Sequence, residues 1–235
     1  MARWTRAARL LDLPAGSRVL DLGCAFGFGT RLLSGRYQTF GHDLNPSYVE
    51  RARKAVPQAV FTQGGADSVP YPDGYFDGIL LLDVLEHVPD ERSVLQEAAR
   101  LLRPGGRLIL SVPNRGAFAW LDSLNLYRRL LGPSAPAPTD DPSWSLSPTH
   151  RHYSLGDLER LLGGHFRVIR AHYTGLGLAE PVNLALLLLL RVFLRSPRLY
   201  DLAQYLYFGV YLAEDLFPTG RHGYHLMMEA ERAAG

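Results

Sequence analysis

Cysteine and lysine are all but missing from this chain. Cys24 and Lys54 are the single representatives, so every other one of the 25 basic residues is arginine. One thiol excludes an internal disulfide. The arginine bias fits a GC-rich coding background as readily as a functional choice. Neither charge sign dominates: 25 basic against 23 acidic residues leaves a net charge of +2. That balance gives no strong pull toward nucleic acid, and the arginines are scattered rather than gathered in a patch. No bilayer-spanning run is found, because Leu184–Leu190 stops at Arg191, well short of the roughly 20 residues a span needs. Met1–Leu11 is arginine-rich and too poor in apolar residues for a secretory leader, so a reduced cytoplasmic setting is the expectation. What remains is ordinary globular material: 235 residues, 47% apolar and 20% charged, enough for one domain with a full core.

The chain is organised around Val19-Leu20-Asp21-Leu22-Gly23-Cys24-Ala25-Phe26-Gly27-Phe28-Gly29. A short apolar run ending in an acid predicts a buried strand, and a glycine turn follows at once. Thr30–Leu33 then starts a helix. Strand, glycine turn and helix N-terminus form a nucleotide-cofactor site in α/β proteins, because glycine lets the ligand approach the backbone and the helix end offers free N–H groups. About twenty residues on, Asp43 closes a second apolar run, the spacing of a carboxylate that takes ribose hydroxyls.

The turn alone does not choose the cofactor. Gly23-x-x-x-Gly27-x-Gly29 also fits a short-chain dehydrogenase, but such an enzyme needs a Tyr-x-x-x-Lys pair. Glu50 stands four residues before Lys54, so that pair is absent. With Asp21 two residues before the first glycine, the stretch resembles motif I of the class I S-adenosylmethionine (SAM) methyltransferases. Ala25 stands where their middle glycine is usual. Gly64–Asp77 is similar to the same family's third motif, with Gly65 in place of the usual adenine-capping acid and Asp67 two residues later. Asp83–Asn114, with Leu-Arg-Pro-Gly-Gly before a strand, resembles the family again in order and spacing. The quality of that match is high over Arg18–Asn114 and loose elsewhere, and the type 11 group and the quinone-pathway O-methyltransferases are the nearest in pattern.

Alternation of strands and helices predicts a doubly wound, mostly parallel sheet. The resemblance implies seven strands, Rossmann-like, with the last strand antiparallel. The predicted elements are a helix over 3–13; strands near 19–22, 40–43, 59–62, 78–83, 107–114, 166–173 and 223–230; and helices over 46–56, 91–102, 118–131 and 155–162. The expectation is a single domain over 1–235 with insertions at about 116–151 and 175–220. The first insertion carries a proline-rich loop, Pro133–Pro148. The second holds Leu184–Leu190 and an aromatic stretch with Tyr200, Tyr205, Tyr207, Phe208 and Tyr211. It reads as a buried cap, as a homodimer surface, or as a peripheral membrane contact through 182–217 with Arg191, Arg195 and Arg198 at the headgroups. Core packing is preferred.

The strand reading places Asp21, Asp43, Asp67 and Asp83 on one edge of the sheet. By resemblance, Asp21 and the turn Gly23, Cys24 and Gly27 hold the methionine part of SAM, Asp43 with Leu44 the ribose, and Ala66 with Asp67 the adenine. Asp83 completes the cofactor set. Cys24 reads equally as a small packing residue. His87, His150 and His152 are candidate general bases, and His150 and His152, just after the first insertion, are assigned as catalytic. Asp83-x-x-Glu86-His87 is similar to the Glu-x-x-Glu-His cluster of the quinone-pathway enzymes, which implies magnesium. Capping by Asp83 and packing by His87 is the preferred account, and no metal is assigned. The expected activity is methyl transfer from SAM to a small acceptor, a hydroxyl on a lipophilic or sugar-containing metabolite. N- or C-methylation, and a SAM-binding regulator or inactive partner subunit, are the alternatives. Nucleic-acid methylation is excluded as an expectation by the lack of an Asn-Pro-Pro-Tyr-type motif.

Overall fold

The computed structural model describes residues 2–132, 150–214 and 219–233. The proline-rich loop Pro133–Pro148 and the side chains of Tyr205, Phe208 and Tyr211 lie outside the described residues.

Seven strands make one sheet in the order β3-β2-β1-β4-β5-β7-β6: β1 (Arg18–Leu22), β2 (Gln38–Asp43), β3 (Val60–Gln63), β4 (Phe76–Leu82), β5 (Leu102–Pro113), β6 (Phe166–Thr174) and β7 (His225–Arg232). β1 to β5 pair in parallel, and β7 runs antiparallel between β5 and β6, with Leu110 opposite Met228 and Ala171 opposite the same residue. The expected doubly wound sheet with an antiparallel last strand is what forms. Order reverses between β1 and β4, which opens a crevice at their carboxyl ends.

The helices follow from local chemistry. Asn45 caps α3 (Pro46–Ala55) by accepting from the Ser47 N–H at 3.0 Å, and Pro46 occupies the first turn, where no N–H is needed. α4 (Glu91–Leu101) is capped by Asp90, and α6 (Leu155–Leu162) by a reciprocal Ser154–Asp157 capping box. α1 (Ala2–Leu11) and the short α2 (Phe28–Leu33) complete the sheet half. α1 is two residues shorter than its apolar pattern, because Asp12 turns to φ 37° and breaks it. The predicted helix over 118–131 is split: Ala119–Leu121 is a 3-10 turn, and Asp122 then caps α5 (Ser123–Leu131) by accepting from the Asn125 N–H.

The sheet is covered on both faces. Ile79 and Leu81 of β4 point into one core with Leu20, Leu22, Leu95, Leu108 and Leu158; Leu80 and Leu82 point into another with Ala7, Leu11, Val19 and Met227. A strand covered on both sides has no solvent face, hence its unbroken apolar run.

The second insertion is a helical layer of its own. α7 (Ala179–Leu186) runs on as a π-helical segment, Leu187–Phe193, and α8 (Pro197–Glu214) folds back along it. With α5 it shares a small core around Tyr127, Leu187 and Tyr200. Buried polar groups tie the two insertions together. Glu180 accepts from the Ser123 N–H at 2.9 Å and its hydroxyl at 2.7 Å; Asn183 donates to the Ser123 hydroxyl and accepts from Tyr200. No helix among the described residues is long and apolar enough to cross a membrane.

Candidate active site

A cavity of about 480 Å³ lies at the carboxyl ends of β1, β2 and β4. That size suits a small-molecule ligand. Its wall includes Gly23 and Ala25 of the first turn, Asp43 and Leu44 after β2, the loop 64–67, and Asp83, Val84 and His87 after β4. α5 of the helical layer contributes Leu124.

The first turn is bent backbone held from two sides. Gly23 and Gly27 take φ of 84° and 79°, the left-handed region that glycine enters without steric cost. Ala25 takes φ 44° although it carries a Cβ. The Gly23 and Cys24 N–H groups both donate to the His42 carbonyl, at 2.8 and 3.1 Å. The Ala25 N–H donates to Asp43 Oδ2 at 2.8 Å, and the Asn45 N–H to Oδ1 at 2.9 Å. One backbone bond on each oxygen fixes the carboxylate on the wall. A carboxylate held this way at a cavity wall is the kind of acceptor that a ribose hydroxyl takes.

Asp21, Cys24 and Gly27 stand behind this wall, and none is among the cavity-lining residues. Asp21 is buried and accepts from the Thr30 hydroxyl at 2.7 Å; burial lifts its pKa to about 6 against the pull of that bond. A Cβ on Gly29 would sit 2.8 Å from Asp21 Oδ2, so the carboxylate packs where α2 begins. Gly27 lies against Ala52, where a Cβ would come within 3.1 Å. Cys24 packs with Val49, Ala52, Val56 and Phe61, and burial, with the charges of Asp21 and Asp43, pushes its thiol pKa far up. These three shape the turn from its core side.

The loop 64–67 answers the missing acid at position 65. A side chain built on Gly65 would meet Asp67 Oδ1 at 2.5 Å, so the Asp67 carboxylate fills the space an acid at 65 would use. The ring of His42 holds this loop: Nε2 is 3.1 Å from the Gly65 carbonyl and Nδ1 is 2.8 Å from the Thr62 hydroxyl. Facing a carbonyl, Nε2 carries the proton, and burial lowers the ring's pKa, which keeps it neutral.

Asp83 caps no helix. It sits at φ 57°, with Oδ2 2.6 Å from Arg3 Nη1 of α1 and Oδ1 accepting from the Ser111 hydroxyl at 2.7 Å. Its preferred reading as a cap fails because the following 3-10 turn, Leu85–His87, starts from Val84 with no side-chain cap, and α4 is capped by Asp90. The guanidinium of Arg3 is 1% exposed, so an arginine of the N-terminal helix backs the Asp83 carboxylate from behind the cavity wall.

A second polar cluster lies beside the cavity. His87 lines the wall, and the His150 ring stands behind it with centroids 4.8 Å apart. Asp122 Oδ2 lies 2.5 Å from His150 Nδ1 and 3.0 Å from His152 Nε2, and accepts from the Tyr224 hydroxyl at 3.3 Å. Burial works against charge on His150, but Asp122 and Glu86 outweigh it and hold the pKa up at about 9. Glu86 is buried on the other side, its Oε1 3.9 Å from His150 Nε2. Burial and the nearby Asp83 charge raise it to about 8. His152 moves the other way, lowered chiefly by burial. Of the three candidate histidines, His87 lines the cavity, while His150 and His152 do not. Asp122 carried no motif that would have marked it. In the sequence it falls inside the stretch 118–131 predicted as one helix, and only the structure starts α5 after it.

The imidazole-rich grouping bears on the metal set suggested by Asp83, Glu86 and His87. Among the described residues, the ligand atoms that converge are those of Glu86, His87 and His150, and of Asp122, His150 and His152. Asp83 is outside both sets, engaged by Arg3 and Ser111. Magnesium takes oxygen ligands in strict octahedral geometry, which these residues do not offer.

Residues 20–110 match the family model described as a methyltransferase domain. The chain is 40% identical over 113 residues to a 27-O-demethylrifamycin SV methyltransferase of Amycolatopsis mediterranei, covering 45% of this chain and 42% of that protein. It is 39% identical over 117 residues to a ubiquinone biosynthesis O-methyltransferase of Xanthomonas oryzae pv. oryzae, covering 46% and 48%. The matched stretch thus spans less than half the length of these curated relatives. The YcgJ protein of Bacillus subtilis shares the fold, with a TM-score of 0.64 at 20% identity over 99% of this chain and 98% of that one.

Proposed function

From the match of residues 20–110 to a methyltransferase domain, we propose that the protein is a class I SAM-dependent methyltransferase that transfers the methyl group of SAM to an oxygen of a small acceptor. The observation that carries this reading is the Asp43 carboxylate, clamped by the Ala25 and Asn45 N–H groups at the cavity wall. It is the fixed acceptor pair that a ribose needs, beside a backbone turn that admits close approach. SAM brings the leaving group with it, so the chain supplies position more than chemistry. Asp67, in the space beside Gly65, takes the adenine edge, and Asp83, held from behind by Arg3, lines the wall.

Transfer is an in-line displacement. A lone pair of the acceptor oxygen forms the bond to carbon, the carbon–sulfur pair returns to sulfur, and a neutral thioether leaves. The hydroxyl proton goes to a base. His87 is on the wall and takes that role, with His150 and Asp122 as positioning residues behind it. This moves the catalytic assignment from His150 and His152 to His87. Leu22, Val84, Val88, Val94 and Leu124 make the rest of the wall largely apolar, which suits a lipophilic acceptor. The names of both curated relatives specify methylation on oxygen, which supports the choice of atom.

The test is calorimetric titration with SAM and S-adenosylhomocysteine, followed by turnover on hydroxylated lipophilic acceptors. Asp43→Ala should weaken SAM binding about 10- to 100-fold, the worth of a lost charge-assisted bond pair. His87→Ala should bind SAM normally and lose roughly 10²–10⁴ in kcat. Normal SAM affinity in Asp43→Ala would defeat the cofactor assignment. SAM binding without turnover on any acceptor would favour a regulator or partner subunit.

A further inference from the structure

We propose that the outer face of the α5–α7–α8 layer docks onto a membrane surface carrying anionic lipid headgroups. The layer is apolar on two sides. Its inner side is covered by the core around Tyr127, Leu187 and Tyr200. Its outer side presents Leu199, Leu202 and Leu206 of α8, at 48%, 65% and 60% exposure, continued by exposed Gly209 and Ala213. Those positions run i, i+3, i+7, i+10 and i+14, so they form one stripe along the helix with no polar residue in it. Leu189, Phe193 and Leu194 extend the apolar surface at the turn into α8, with Phe193 85% exposed. A stripe of this kind on a helix is an interaction face rather than chance exposure.

Charge decides what covers it. From Pro181 to Ala213 there are three arginines, Arg191, Arg195 and Arg198, against one acid, Asp201; Arg191 lies over the Tyr200 ring, Arg195 and Arg198 are exposed, and α5 adds Arg128 and Arg129 with no acid. A second copy of the chain meeting this face by two-fold symmetry would set the same arginines against each other, with Asp201 the single acid between Pro181 and Ala213 to pair them. Lipid phosphates neutralise them instead, while the leucines and Phe193 enter the interface. Leu124, on α5, is also on the cavity wall, so the docking layer is continuous with the candidate site.

The experiment is vesicle flotation of the full chain. One set of vesicles is phosphatidylcholine alone, and the other contains phosphatidylglycerol. The wild type should float with the anionic vesicles, less with neutral ones, and less as salt is raised. Leu202→Glu with Leu206→Glu should abolish flotation. Arg195→Glu with Arg198→Glu should weaken it by roughly fivefold for each arginine lost. Both pairs are at exposed positions, so SAM affinity and melting temperature should stay at wild-type values and certify the fold. Failure of the wild type to float on either vesicle overturns the proposal. So does flotation that neither double variant alters. A dimer in sedimentation velocity that the leucine pair dissociates, without flotation, would assign the face to a second copy.

Discussion

Two leucine-rich runs in this chain meet opposite fates. In β4, Ile79, Leu80, Leu81 and Leu82 are all buried, none above 9% exposure. In the helical layer, the run Leu184–Leu190 buries only Leu187 fully and leaves Leu189 at 55%. Composition is nearly the same, so geometry makes the difference. Strand side chains alternate between two faces, and helices cover both faces of this sheet. A helix spreads its side chains through a full circle, and a single supporting layer covers one arc of it.

The sharpest way to break that contrast is truncation in β4. Leu81→Ala should cost about 2–5 kcal/mol in chemical denaturation, because a fully buried strand residue leaves a cavity that its neighbours cannot close. A cost under 1 kcal/mol would mean the sheet core is loosely packed. The seam between the two regions gives the next effect, where Glu86 and His87 from the sheet half meet Asp122 and His150 from the layer side. His150 has its folded pKa raised to about 9, and Glu86 to about 8. Both hold protons more tightly folded than unfolded, so their contributions to stability are lost as pH rises through those values. Melting temperature should therefore fall between pH 7 and 9. Asp122→Asn removes the charge that holds His150 up, and should flatten the part of the slope that belongs to the histidine. A wild-type melting temperature that is flat or rising over that window would contradict the burial of these charges. The smallest effect should come from the other leucine run. Leu189→Ala should change stability by less than about 0.5 kcal/mol. A loss comparable to that of Leu81→Ala would show the outer face covered by something.

The same contrast explains what could be read in advance. The sheet half was legible because its signals are local. Apolar runs end in acids or glycines, Asn45-Pro46 and Ser154 announce helix starts, and Asp43 falls at the expected distance from the turn. Edges shifted by only a few residues, as where β4 begins at Phe76 because that residue pairs with Leu102. The site was legible in part. Gly23, Asp43, Leu44, Ala66, Asp67 and Asp83 do line the cavity, while Asp21, Cys24 and Gly27 support it from behind. The histidine cluster was not legible, because its members come from three separate stretches that only tertiary packing unites. Arg3 was hidden for the same reason. Nothing in an arginine-rich first helix says that one guanidinium turns inward to a carboxylate eighty residues away.

The bond network from Ser123 to Glu180, Asn183 and Tyr200 has a consequence for how such a molecule can be recombined. The two insertions are separate in sequence but interlock as one piece. A chimera that exchanged either alone would strand a buried carboxylate or amide against a foreign surface. The smallest transferable cassette is both segments together.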